Sequence, residues 1–145
     1  MNRQNRLRLA FPALSENEAF ARVAVCAFLA PLDPTVEEIG DMKTAVSEAV
    51  TNCVVHAYKQ QKGMVYIQVG LLKNGRVQIK IRDTGCGIED VKKAMEPMYS
   101  GSDSPERAGL GFSLMETFMD KVRVRSAVGK GTTVTLEKKL SGKAG

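Results

Sequence analysis

Leu7, Leu9 and Phe11 alternate with polar or small residues, a period-two pattern that predicts a strand over residues 6–11, ended by Pro12. Ser15 and Glu18 have the spacing of a capping box, so a helix should follow to about residue 30, where Pro31 stops it. That helix carries two apolar faces: Phe20, Val23 and Ala27 on one, and Val25, Cys26 and Leu29, grouped around Arg22, on the other. Two apolar faces need two covers; one can be the protein's own sheet, the other a partner. Thr35 and Glu38 form a second capping box and predict a long helix from about residue 36 to 57. In it Val36, Ile39, Met42, Val46, Ala49, Val50 and Cys53 recur at three- and four-residue steps, the spacing of a core-facing arc. Glu48, Asn52 and His56 form a polar stripe beside that arc.

Period two returns over residues 64–72 and 76–82, and Asn74-Gly75 between them is a strong type I′ hairpin signal. Residues 95–108 are rich in Pro, Ser and Gly and read as a loop, with a helix beginning near Gly109 and running to about Met119. A last hairpin is expected over residues 121–127 and 132–140, turned at Gly129-Lys130-Gly131. The order implies an α/β two-layer sandwich: a mixed, mostly antiparallel sheet with helices on one face.

A chain of 145 residues, 43% hydrophobic, suits one domain over residues 1–145. No apolar run reaches the ~18 residues that span a bilayer, and the basic start runs into no secretory segment, so no membrane role and a cytoplasmic site are expected. Three scattered cysteines and one histidine offer no zinc spacing. The net charge of +5 raises nucleic acid as a partner. Arg3, Arg6 and Arg8 at one end and Lys138, Lys139 and Lys143 at the other supply six cations, and without them the remainder is at −1. The basicity therefore sits at the termini along the chain, and no direct nucleic-acid contact is expected.

Four short motifs carry chemistry. Glu48 and Asn52, four apart on the long helix, aim at one patch. There an amide oxygen can bind Mg²⁺ and a carboxylate can take a proton from an attacking hydroxyl. Asp83-Thr84-Gly85-Cys86-Gly87 follows a strand directly. Its acid can accept from an exocyclic amine such as that of adenine, and its glycines allow close backbone approach to a flat ligand. Gly109-Leu110-Gly111-Phe112 at an expected helix start would offer free N–H groups to phosphate. The Thr132 hydroxyl can join the acid at adenine. Each is weak alone; the force lies in their order.

That series resembles the N, G1 and G2 boxes of the GHKL ATPases, and within them the chain resembles the sporulation anti-sigma F factors from about Leu7 to Leu136. The runs Leu14-Ser15-Glu16-Asn17-Glu18, Ser47-Glu48-Ala49-Val50-Thr51-Asn52 and Glu106-Arg107-Ala108-Gly109-Leu110-Gly111-Phe112 carry the likeness, with Met119-Asp120. The resemblance implies a Bergerat ATP-binding fold with a lid at about residues 90–108. It implies ATP/ADP and Mg²⁺ as ligands, and a homodimer that holds a sigma factor of RNA polymerase and phosphorylates a serine of an anti-anti-sigma protein. It makes Glu48 the general base, Asn52 the Mg²⁺ ligand, and Asp83 with Gly85, Gly87 and Thr132 the adenine site. Gly109, Leu110 and Gly111 would line the phosphates, Arg107 would reach the terminal phosphate, and Arg22 would lie on the surface shared by both protein partners. Two departures stand out: Ala57 replaces a glycine after the histidine, and Gly101-Ser102-Asp103 replaces a Thr-Lys-Pro run in the lid. Rival readings are an ATP-gated binding module without phosphotransfer, a stress-response anti-sigma relative, and a detached histidine-kinase catalytic domain. His56 is expected to pack or hydrogen-bond rather than accept phosphate.

Overall fold

The computed structural model describes residues 5–59, 61–96 and 103–141, with the backbone alone over residues 103–110. Five strands form one sheet in the order β1-β2-β3-β5-β4. They are β1 (Asn5–Pro12), β2 (Met64–Leu71), β3 (Arg76–Asp83), β4 (Lys121–Ala127) and β5 (Gly131–Lys139). All four pairings are antiparallel, so the expected sheet is antiparallel throughout. Asn74 and Gly75 both take positive φ, 63° and 74°, as a type I′ turn requires.

One face of the sheet is covered by helices: α1 (Glu16–Leu29), α2 (Val36–Asn52), α3 (Val91–Met95) and α4 (Asp103–Phe118). α2 lies between α1 and α4. Its core arc is as the spacing predicts, with Met42, Val46, Ala49 and Val50 essentially sealed from water, although Val36 in the first turn is exposed. Burying each large apolar side chain contributes about 1.5–3 kcal/mol. Ile67, Ile79, Ile81 and Leu136 meet them from the sheet, and Phe112 and Met115 from α4.

Only one of the two expected capping boxes forms. At Thr35 the hydroxyl accepts from Glu38 N–H at 3.0 Å, and the Glu38 carboxylate accepts from Thr35 N–H at 2.9 Å. At Ser15 no side-chain cap exists. The Glu18 carboxylate is held instead by Arg22 at 2.5 Å and by the Ser47 hydroxyl of α2. An ion pair plus a cross-helix hydrogen bond has displaced the local cap.

The two apolar faces of α1 also sort themselves. The helix buries Ala21, Val25 and Leu29 against the protein and leaves Phe20, Val23 and Ala27 outside. The open apolar face is therefore that of Phe20, with Leu14 also exposed beside it in sequence, and not the group around Arg22.

Two corrections bear on the site. The last turn of the long helix, Cys53–Ala57, is a π turn, closed by Tyr58 N–H to Cys53 C=O at 3.1 Å. α4 begins at Asp103, six residues before Gly109, so residues 103–108 are helix where a loop was expected. The middle of the expected lid, residues 97–102, lies outside the described residues, and α3 occupies its first part.

Candidate functional site

β3 ends on Asp83, a carboxylate that is buried. Its Oδ1 accepts from Gly85 N–H at 2.9 Å and from Thr132 N–H at 3.2 Å. Burial pushes the Asp83 carboxyl above the usual range, while these amides, the Cys53 thiol and Arg82 pull the other way. The Cys53 thiol, buried in the π turn beside Asp83, is pushed up strongly by burial and by that carboxylate. A charged acceptor is thus held at one fixed point, with a protein partner on both its flanks.

The glycines after Asp83 are required by protein backbone. A Cβ on Gly85 would lie 2.5 Å from the Ala57 carbonyl oxygen and 2.8 Å from Ala57 Cβ. The nearest atom is backbone, so the side chain at Ala57 is not what demands the glycine. Gly87 takes φ +79°, and its Cβ would fall 2.2 Å from the Ala127 carbonyl oxygen. The loop so admitted is tied on both sides: Cys86 N–H donates to Ala57 C=O at 2.9 Å, and Gly129 N–H donates to Cys86 C=O at 2.7 Å. The glycines bring the loop against the π turn that follows α2 and against the β4–β5 corner, which is what fixes Asp83.

Thr132 contributes its N–H to Asp83, whereas its hydroxyl pairs with Ser126 at 2.7 Å. Ser126 also accepts from Ile88 N–H at 2.7 Å and bonds the Gly131 carbonyl at 3.0 Å. Sequence reasoning missed this serine, and it missed Tyr58. The Tyr58 hydroxyl donates to Met64 C=O at 2.6 Å and accepts from Thr84 N–H at 2.7 Å, joining the end of the long helix to the start of the acid loop. A lone Ser in an alternating strand and a Tyr after a helix carry no local signal; only the antiparallel register of β4 with β5, which pairs Ser126 with Thr132, gives one of them away.

Glu48 and Asn52 mark the other end of the candidate site, and Gly111 of α4 stands against both. A Cβ on Gly111 would lie 3.1 Å from Glu48 Oε1 and 3.4 Å from the Asn52 amide oxygen and nitrogen. Gly111 is inside α4, not at its N-terminus, so the phosphate cradle expected from a helix end is not the arrangement found. What the glycine provides is missing bulk beside a carboxylate and an amide. The Asn52 amide nitrogen is buried with no hydrogen-bond partner among the described residues, a loss of about 1–3 kcal/mol. An unpaired amide N–H₂ next to a carboxylate and a gap fits an acceptor on a ligand, such as a phosphate oxygen, while the amide oxygen is the atom of Asn52 able to ligate a divalent cation. Gly109 and Leu110 are described by backbone only, as helix, and the Arg107 side chain lies outside the described residues.

From Glu48 an open groove of about 270 Å³ leads over Ser47, Thr44 and Lys43 to Arg22. Arg22 is thus near the Glu48 end without touching the Asp83 end. The structure brings together Glu48, Asn52 and Gly111, and separately Asp83, Gly85, Gly87 and Thr132.

The comparisons with known proteins agree with this geometry. The profile of the histidine kinase-like ATPase domain matches residues 11–138. A protein named anti-sigma F factor from Caldanaerobacter subterraneus subsp. tengcongensis is 51% identical over 138 residues, covering 95% of this chain and 96% of that protein. Another of that name, from Pasteuria penetrans, is 52% identical over 139 residues, covering 95% and 93%. Among solved structures, the RsbU and RsbW domains from Mycobacterium tuberculosis superpose with a TM-score of 0.69 at 22% identity, over 94% of this chain and 33% of that one. A blue-light activated histidine kinase from Erythrobacter litoralis gives 0.56 at 24% identity, over 75% of this chain and 32% of that one. These two bear on the fold alone.

Proposed function

Because this chain belongs to the anti-sigma F factor family, within the histidine kinase-like ATPase domains, we propose that it binds and inhibits a sporulation sigma factor and uses ATP to phosphorylate a serine of an anti-anti-sigma protein. The observation that carries the kinase half is Gly111 lying against both Glu48 and Asn52. A base and a metal ligand share one small gap there.

Bound ATP with Mg²⁺ supplies the transferable phosphoryl group and neutralises charge between the phosphates. The chain's own groups do the rest. Asp83 accepts from the adenine amine, with Gly85, Gly87 and Thr132 keeping it in place. Asn52 turns its amide oxygen to the metal. Glu48 takes the proton from the attacking serine hydroxyl as the new P–O bond forms and the bond to the leaving phosphate breaks. Gly109, Leu110 and Gly111 make room for the phosphates, Arg107 reaches the terminal one, and residues 90–108 act as the lid of a single ATP-binding unit.

The protein partners meet the molecule on α1. Phe20 and Val23 are each more than half exposed, and with Leu14 they offer an apolar anchor. Arg22 lies at the mouth of the groove that leads to Glu48. Sigma factor and substrate sharing this surface would exclude one another, and ATP against ADP would bias the choice. In this reading the protein works as a cytoplasmic homodimer. Among the described residues no helix is long and apolar enough to cross a membrane.

The test is transfer from labelled ATP to a purified anti-anti-sigma protein, wild type beside Glu48→Gln. Label on the substrate serine with wild type only is the expected result. Nucleotide binding without transfer in either protein would leave an ATP-gated binding module and remove the kinase.

A further inference from the structure

The uncovered face of the sheet has a composition that no linear reading of the charge reveals. Antiparallel register puts Arg8, Gln68, Lys80, Thr135 and Arg123 in one row across all five strands. The neighbouring row holds Ala10, Tyr66, Arg82, Thr133 and Arg125. On the other side of the first row Arg6 and Lys121 extend the same face, and Arg76 pairs with Lys139 at its end. Every one of these Arg and Lys residues is exposed. Among the described residues the only acid within the rows is Glu137, which is buried and held by Arg76 at 2.8 Å and Arg123 at 2.9 Å. Asp120 lies at the margin, where its carboxylate accepts from Lys139 N–H. Because the whole chain carries only +5, the rest of the molecule is net negative. Arg6 and Arg8 from one basic end and Lys139 from the other lie on one surface with the strand cations.

We propose that this face binds single-stranded nucleic acid through its phosphates. Three features select that occupant. Same-face cations on a strand recur about every 7 Å, in parallel rows, as an extended polyanion requires. Arg8, Tyr66, Lys80 and Arg82 line a groove of about 410 Å³, and the Arg82 guanidinium lies 4.2 Å over the Tyr66 ring. That stack presents a flat cationic surface on which an unpaired base can lie. Apart from Tyr66, which Arg82 covers, the rows hold no aromatic or large aliphatic side chain of the kind that forms the centre of a stable protein interface. Two copies meeting through it would oppose like charges across the whole contact. The proposal is independent of the kinase reading, since Glu48 and Asn52 belong to α2, which covers the opposite face of the sheet.

The experiment is fluorescence anisotropy of a labelled oligothymidylate against the full chain, over a salt series. Affinity should fall linearly in log–log form with a slope of about −0.7 per phosphate contacted. Arg8→Glu with Lys80→Glu should weaken binding by about tenfold or more, while Lys62→Glu with Lys73→Glu, equal in charge but off the face, should change it by less than about threefold. Arg125→Glu gives a second reading should the first pair melt early. Equal loss in both pairs, or no binding at low salt, overturns the proposal. So does poly-L-glutamate competing as well as the oligonucleotide at equal charge, which would make the partner an acidic protein surface. Sedimentation showing a dimer that Arg8→Glu with Lys80→Glu disrupts and the oligonucleotide leaves intact would mean a second copy covers the face.

Discussion

The two ends of the candidate site are built on different principles. At the Asp83 end nearly every polar atom named has a protein partner: two amides hold the carboxylate, Ser126 joins three groups, and Tyr58 joins two elements. At the Glu48 end a buried amide nitrogen has none among the described residues, and a glycine keeps space open. The first end is tied down by its own hydrogen bonds, and in the proposed function it reads the ligand by being immovable. The second keeps an unpaired amide and open space, and in the proposed function it is where protons and phosphoryl groups move.

The largest effect should come from breaking the Glu48 end alone. Glu48→Gln keeps the size and removes the proposed base, so transfer should fall by about 10²–10⁴-fold. ATP affinity, set by the other end, should stay within about threefold. Rapid-quench assays beside equilibrium nucleotide titration measure both. A parallel collapse of affinity would mean the ends are not separable.

Next is the immovable end. Gly131 takes φ +117°, and a Cβ there would fall 2.2 Å from the Asp83 carbonyl oxygen. Gly131→Ala must move β3 or β5, at a cost of about 2–3 kcal/mol. Differential scanning calorimetry should show a melting temperature roughly 5–10 °C lower, with nucleotide binding lost in step. An unchanged melting point would show that the corner is softer than its hydrogen bonds imply.

Asp83→Asn separates holding from reading. The amide oxygen still accepts from Gly85 and Thr132, so the fold should survive, but the charged acceptor is gone. ATP should bind about ten- to a hundredfold more weakly, the loss of a charge-assisted hydrogen bond of about 1.5–3 kcal/mol. The wild type offers a pH version. Burial raises the Asp83 carboxyl, so as pH falls it should protonate, and ATP affinity decline, above the ordinary aspartate value of about 3.9. Stability moves the opposite way. In the window between the unfolded and the raised folded value the native state binds more protons, so this group's contribution favours folding at the lower pH and is lost as pH rises. Glu137 runs counter to it. Burial pushes its carboxyl up, but hydrogen bonds from Gln78, Arg76 and Arg123 outweigh that and hold it low. Its stabilisation is present above the unfolded value and lost as pH falls through the folded one.

How much of this was legible in the chain follows from how local each determinant is. Period two gave the strands, Asn74-Gly75 the turn and Thr35 the cap, because each depends on neighbours in sequence. Ser15 failed because Glu18 had a better offer from Ser47, 29 residues away. The order of Glu48, Asn52, Asp83 and Gly111 pointed to a nucleotide site, but not to what each glycine faces. Gly85 and Gly87 looked like room for a ligand and are room for Ala57 and Ala127. The basic sheet face was invisible for a related reason: charge counted along the chain cannot show that register gathers Arg8, Lys80 and Arg123 into one row.

Ser126 sets the finest test of the comparison. If the Asp83 end is rigid because its bonds are redundant, removing one hub should cost stability without costing recognition. Ser126→Ala leaves the Ile88 N–H and the Thr132 hydroxyl without the partner they have now, an expected loss of about 1–2 kcal/mol in chemical denaturation. Thr132 N–H and Gly85 N–H still hold Asp83, so ATP affinity should change by less than about threefold. The Tyr58→Phe variant is the matched control, since it releases Thr84 N–H on the opposite flank of the same acid. Similar small losses in both would show that either flank alone keeps Asp83 aimed. A tenfold loss of ATP affinity in Ser126→Ala alone would mean that the β4–β5 flank aims the carboxylate, and that the end read here as fixed is hinged on one serine.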